Sequence, residues 1–540
     1  MLQLFRGDVV TMDAHRPFGT GILAEDGVIR EVGEFEALKD SAPGAAVEDY
    51  GDAAILPGFI DGHSHLSAVA YESILFDARP ESGCRSVEEL VRLGQKYLRE
   101  HALSEGQWML GMGYDNGVFP GEAHPTRFDL DRISEEIPIA VTHVSGHLCA
   151  VNSRAMEILG YDGPDPQVPE GGEVDPSGLL KEEAFSDLKV RQAMKGPDVN
   201  QLMEGTRQAA RLYASYGITT MQDARTGEEE YRLLLLAGKS GALSGDVVCY
   251  LTPEAAEKWL PRQNPALNAY KDHCRMAGAK IFLDGSPQGK TAWLSRPYAR
   301  VPEGKPAGYR GFPVRRPEDV TWFFGHCMEN HWQVNVHANG DAAIDQMLDC
   351  YEAAREAAGC REDLRPVIIH CQTVRPDQLK RMAEMGVRAS FFHDHVWYWG
   401  DYHYESVLGP ERAEQISPLS LARKEGVPFS LHQDSPVVPP DIMRSVHNAV
   451  NRRTQSGRIL GPEQRICVMD ALKAHTVWAA EQIFEEERKG TIAPGKLADF
   501  AVLEKNPLNA EPESLRDIRV LRTVKEGKVI YQTGRNADDR

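Results

Sequence analysis

Long apolar runs are missing from this sequence. No stretch approaches the ~20 consecutive apolar residues that span a bilayer, so no membrane-crossing segment is expected. Positive charge is also scarce. Sixty Lys and Arg face 80 Asp and Glu, and the net charge of −20 argues against nucleic acid or an anionic membrane as partner. The start, Met1-Leu2-Gln3-Leu4-Phe5-Arg6-Gly7-Asp8, lacks the basic-then-apolar pattern of a secretory signal. Nine cysteines are scattered with no Cys-x-x-Cys pair, and their odd number argues against a disulfide framework. A reducing, cytoplasmic setting is expected. There is no low-complexity segment and no short repeat. What remains is ordinary globular composition, 42% hydrophobic and 26% charged over 540 residues. That length suits one large elaborated domain or several ordinary ones.

Both ends of the chain read as short strands and turns. Residues 21–33 form a predicted hairpin with Asp26-Gly27 at its turn, and residues 523–531 form another. The two ends are expected to pair into one small sheet domain. The middle alternates strands with helices, the pattern of parallel α/β architecture. Eight strands are predicted. The first is the apolar run Ala53–Ile60 leading to His65, and the others cover 217–223, 247–252, 279–284, 333–338, 367–372, 387–393 and 428–434. Helices are expected over Ala342–Ala358 and Pro376–Met385, among others. Eight such units describe a TIM (β/α)8 barrel, with a doubly wound open sheet as the competing arrangement. The interval between the first two strands is far longer than a helix and two turns require. Residues 67–200 therefore read as an insertion over the barrel mouth, with a strand near Ile137–Val144.

Polar residues cluster where these strands end. The first strand leads into His63-Ser64-His65, and residues two apart on a strand face the same way. Two imidazoles on one face suit Zn, Fe, Ni and similar ions. Lys280 sits inside an apolar strand, where an unpaired ammonium is costly. It needs a carboxylate partner, or it reacts as a neutral amine with CO2 to give a carbamate. Strands five and six end in His337 and His370, and strand eight ends in Asp434, a carboxylate suited to metal binding or proton transfer. His432, two residues earlier, is the main competing ligand. His393 and His395 open an aromatic stretch, 396–404, read as a loop lining an apolar substrate pocket, with Trp397 among its rings. His147, in the insertion, is a further candidate for hydrogen bonding to substrate.

At this point the sequence resembles a known group. Leu56-Pro57-Gly58-Phe59-Ile60-Asp61-Gly62-His63-Ser64-His65 is similar to the first-strand signature of the amidohydrolase superfamily. Residues 489–503, Lys-Gly-Thr-Ile-Ala-Pro-Gly-Lys-Leu-Ala-Asp-Phe-Ala-Val-Leu, resemble that superfamily's return into its β-sandwich. Asn152-Ser153-Arg154, Asp175–Glu182, Gly217-Ile218-Thr219-Thr220 and His337–Asp345 resemble the YtcJ-like branch, which includes N-substituted formamide deformylases.

The resemblance implies a TIM barrel over 56–489 and a β-sandwich built from 1–55 and 490–540. It implies a hydrolase of non-peptide carbon–nitrogen bonds that uses a metal-activated water. His63, His65, Lys280, His337, His370 and Asp434 map onto the metal ligands, with Asp434 as general base and His370 aiding catalysis. One or two divalent ions, zinc by default, are expected, with Lys280 as an N6-carboxylysine in the two-metal form. A homodimer acting on a small molecule is also implied. The seventh-strand motif, His393-Asp394-His395, does not map onto the family pattern. A ring deaminase, or a hydrolase of cyclic amides or lactones, would use the same groups. A non-catalytic binding protein on this barrel would show a missing ligand, and all six are present.

Overall fold

The computed structural model describes residues 1–534 apart from 102, 104, 105, 145, 146, 164, 165, 170, 171, 187–189, 191, 192, 195 and 261–268. Eight parallel strands form one curled sheet in chain order: Phe59–Ile60, Ile218–Thr226, Asp246–Leu251, Cys274–Phe282, Gln333–Ala338, Val367–His370, Arg388–Phe391 and Phe429–Leu431. These segments are buried almost throughout, as expected for a parallel sheet covered on both faces. Helices follow the strands, including Glu228–Ser240, Pro317–Glu329, Asp341–Ala358 and Pro376–Met385. The arrangement is a TIM-like barrel. The two outer strands approach each other beyond the ladder, where His65 N–H donates to the Ser435 carbonyl at 2.9 Å. Gly62 makes that approach possible, because a Cβ there would sit 2.6 Å from the Leu431 carbonyl oxygen.

The first strand differs from the sequence expectation. The apolar run before Gly58 belongs to another sheet, where Ala46–Pro57 pairs with Leu2–Val10 and Phe500–Leu503. Only Phe59–Ile60 joins the barrel, beside Ile218–Thr220. Gly58 sits at the change of sheet, and a Cβ at this position would meet Thr219 Oγ1 at 2.3 Å. His63 and His65 therefore lie in the turn past the ladder, not within a regular strand. Strand eight is likewise shorter than expected, so His432 and Asp434 also lie beyond the ladder.

Both termini build one seven-stranded sheet, in the order 528–532, 520–525, 500–503, 46–57, 2–10, 18–25, 28–33. Phe5, Ile22, Ile29, Ile55, Phe500 and Val524 fill its core. The hairpin turns fall at Asp26-Gly27 and Glu526-Gly527, all four residues with positive φ, as two-residue hairpin turns require.

The chain divides into two compact units, 1–69 with 206–540 and 70–205. The smaller unit has its own six-stranded sheet, including Met109–Tyr114 and Ile139–His143, over a core of Phe76, Leu90, Met109, Leu130 and Val141. Among the described residues, no helix is long and apolar enough to cross a membrane.

Candidate metal centre

Five histidines, one lysine and one aspartate meet at the C-terminal ends of the barrel strands, the end where barrel enzymes carry their chemistry. Strand four supplies Lys280, whose Nζ lies 2.9 Å from His63 Nε2. Asp434 Oδ1 lies 3.2 Å from His65 Nε2 and 3.7 Å from His63 Nε2, and its Oδ2 lies 4.0 Å from His370 Nε2. His370 Nε2 faces His337 Nδ1 at 3.1 Å, and His370 Nδ1 faces His432 Nε2 at 3.1 Å. Two overlapping triads, His63–His65–Asp434 and His370–His432–Asp434, each bring one ligand atom per residue within 4.8 Å of the others.

Electrostatics put these groups in cation-binding forms. Burial drives the imidazoles of His63 and His370 well below their ordinary value, and pulls His337 to about 4 and His432 to about 3. Burial alone would raise the Asp434 carboxyl, but the surrounding imidazoles, His370 first, outweigh it and hold it below the usual range. Neutral imidazole and ionised carboxylate are the forms that bind a metal. Burial brings the Lys280 amine down to about 7, against the pull of Asp434. His63 Nδ1 and Asp434 Oδ1 are buried without a well-formed hydrogen bond, although His65 Nε2 stands 3.2 Å from the carboxylate. Orphaned buried donors and acceptors are costly. Here they belong to a donor set of nitrogen and oxygen that suits a divalent ion.

Backbone geometry adds to the case. His370 and Asp434 both have positive φ, 72° and 54°. Left-handed non-glycine residues cost about 1–3 kcal/mol each and cluster at functional sites. Asp284 ties the neighbouring loops together by accepting N–H bonds from Trp293, Asn339 and Gly340 at 2.7–3.0 Å. The Asn339 side chain and the Gly285 carbonyl contact His337 Nε2, both at 3.1 Å. Behind His432, Ser390 Oγ lies 2.9 Å from its Nδ1.

The remaining candidates are outside these two ligand triads. His393 is buried and its Nε2–H donates to the Ser445 carbonyl at 2.8 Å. His395 Nδ1 lies 2.9 Å from His403 Nε2. The stretch read as an aromatic loop is helical: His395–Tyr402 is an α-helix that runs into a π-turn, His403–Val407. Its Trp397 lies under the Arg516 guanidinium, 5.6 Å from ring centre to Cζ. Phe392, just before this stretch, reaches the imidazole cluster at 5.4 Å from His432, with Trp399 behind it at 6.1 Å. His147 lies exposed on the smaller unit, 3.1 Å from the Glu182 carboxylate. Sequence reasoning set His432 aside as a competitor, yet it lies within the cluster. The His-x-Asp spacing of residues 432 and 434 was the available signal.

The model of the Amidohydrolase family matches residues 46–531, nearly the whole chain and every residue of the cluster. The chain belongs to this family. It is 26% identical to the putative amidohydrolase YtcJ of Bacillus subtilis, over 97% of this chain and 98% of that protein. It is 25% identical to an N-substituted formamide deformylase of Arthrobacter pascens, over 98% of each. Among solved structures, a metal-dependent hydrolase of Pyrococcus horikoshii aligns with a TM-score of 0.77 at 25% identity, over 95% of this chain and 99% of that one. The amidohydrolase chain is thus an enzyme of the hydrolase class, with a TIM-like barrel and a donor set suited to a divalent metal.

Proposed function

We propose that this enzyme hydrolyses non-peptide amide-type C–N bonds of small molecules. The observation that carries the reading is the convergence of His63, His65, His370 and His432 on Asp434 at the barrel mouth. The similarity to a formamide deformylase supports the choice of bond.

His63, His65, His337, His370 and Asp434 would hold the metal, zinc by preference, with Lys280 as a further ligand once carboxylated. When bound, such an ion polarises a carbonyl and lowers the pKa of water from ~15.7 toward ~7. Lys280 loses its proton near neutrality, and its nitrogen lone pair adds to the carbon of CO2. The resulting carbamic acid releases a proton and leaves an anionic carbamate. That anion places an oxygen donor beside His63 where the neutral amine stood.

Asp434 is ionised at neutral pH and serves as the proton acceptor. It takes a proton from the attacking water and passes it to the departing nitrogen, so the amine leaves neutral. His370 and His432 lie beside the carboxylate and favour its ionised form. Phe392 gives the reacting end an apolar wall that limits competing water.

The test is a panel of formamides, acetamides, cyclic imides, lactones and aminated heterocycles, run on wild type and Asp434→Asn. Hydrolysis of open-chain amides is expected, with kcat in the variant lower by about 10²–10⁴. Turnover of aminated heterocycles alone makes the enzyme a deaminase, and turnover of imides or lactones alone makes it a cyclic-substrate hydrolase. Either result would sink the proposed bond specificity.

A further inference from the structure

Arg225 is the next-to-last residue of barrel strand two and has a φ of 106°, a left-handed conformation that arginine has no intrinsic reason to adopt. It is the exposed residue in an otherwise buried strand. Its guanidinium does not lie along its own strand. It reaches past strand three to the end of strand four, where its Cζ is 5.7 Å from the centre of the Phe282 ring. That same ring lies 5.3 Å from Lys280 Nζ and 4.9 Å from the His337 ring. Arg225 is therefore separated from two residues of the metal centre by one aromatic side chain. Among the described residues its side chain has no carboxylate partner and no hydrogen bond. The chain has 80 acidic residues, and none of the described ones is paired with this cation at the mouth.

We propose that Arg225 is a specificity-determining residue that binds a carboxylate on the substrate. The substrate class is then an amide carrying a carboxylate within a few bonds of the scissile C–N bond, such as an N-acyl amino acid. The planar guanidinium presents paired N–H donors to the two carboxylate oxygens, while Phe282 supports its face. The outstretched pose keeps the donors over the mouth, so little side-chain freedom is lost on binding. This rests on the amide-hydrolase reading for the reaction but not for the anion site.

The test separates the two. N-Formylphenylalanine and N-formylphenethylamine differ only in the carboxylate, and 3-phenylpropionate with its primary amide probes binding without turnover. Metal-loaded wild type is expected to prefer the acid of each pair by about tenfold or more, in KM for the formamides and in Kd for the probes. Arg225→Ala is expected to collapse both ratios toward one, and Arg225→Lys, which keeps the charge but loses the fork, to retain part of each. Equal ratios in wild type and Arg225→Ala overturn the proposal, because the carboxylate is then held by the metal or not at all. Arg225-dependent binding with no formamide turnover overturns the reaction class instead and leaves the anion site standing.

Discussion

Lys280 Nζ lies 2.9 Å from Nε2 of His63, with both side chains buried. Two basic nitrogens at that distance cannot both carry a proton charge in a low-dielectric interior. Burial settles the matter by lowering both, the lysine to about 7.

A neutral amine is the form that reacts with CO2. Carboxylation of Lys280 is therefore expected to rise between pH 6 and pH 8 as the amine loses its proton. Carbon-13 bicarbonate added to the metal-loaded enzyme at pH 8 should give a carbamate resonance that Lys280→Arg lacks. A wild-type spectrum without that resonance, at full metal content, would leave Lys280 as a plain amine.

His432 is braced from both sides, by Ser390 on Nδ1 and His370 on Nε2. Residues that orient a ligand histidine, as His432 does for His370, typically contribute 10–100-fold in metal affinity. Ser390→Ala should weaken zinc binding by about that factor in a chelator-competition titration, while the fold persists. Unchanged affinity would mean that His432 is merely packed beside the site.

Much of this was readable in the chain. The eight strands, their order and the placement of Lys280, His337 and His370 follow from apolar runs alternating with helical spacing. The run before His63 misled, because Gly58 lets one apolar stretch serve two sheets in succession, and composition does not mark the change. Residues 396–404 read as a loop because aromatics have weak helix preference, yet packing around Phe392 and Trp399 accompanies helix over His395–Tyr402 and His403–Val407. His432 was discounted because a strand pattern alone does not reveal where the ladder ends. Arg225 carries no motif, and its positive φ, exposure and reach toward Phe282 are visible only in the structure.

Away from the site, His273 Nδ1 lies 3.0 Å from Asp246, a carboxylate that also meets Lys489 and Lys525. The hydrogen bond to Asp246 raises the imidazole above 6.5. A raised value stabilises the fold fully below the unfolded pKa, and that share is lost as pH rises through the folded one. The melting temperature of wild type should exceed that of His273→Gln by more at pH 5.5 than at pH 9. A gap that widens toward pH 9 would contradict the assignment.

The central claim is that this barrel mouth is a hydrolytic metal centre, and it is tested most directly by measuring metal content and amide hydrolysis on the same samples. Chelation should remove metal and hydrolysis together, and zinc should restore both in proportion in wild type, with His63→Ala and His65→Ala failing to recover. Full amide hydrolysis by the metal-free protein would contradict the account.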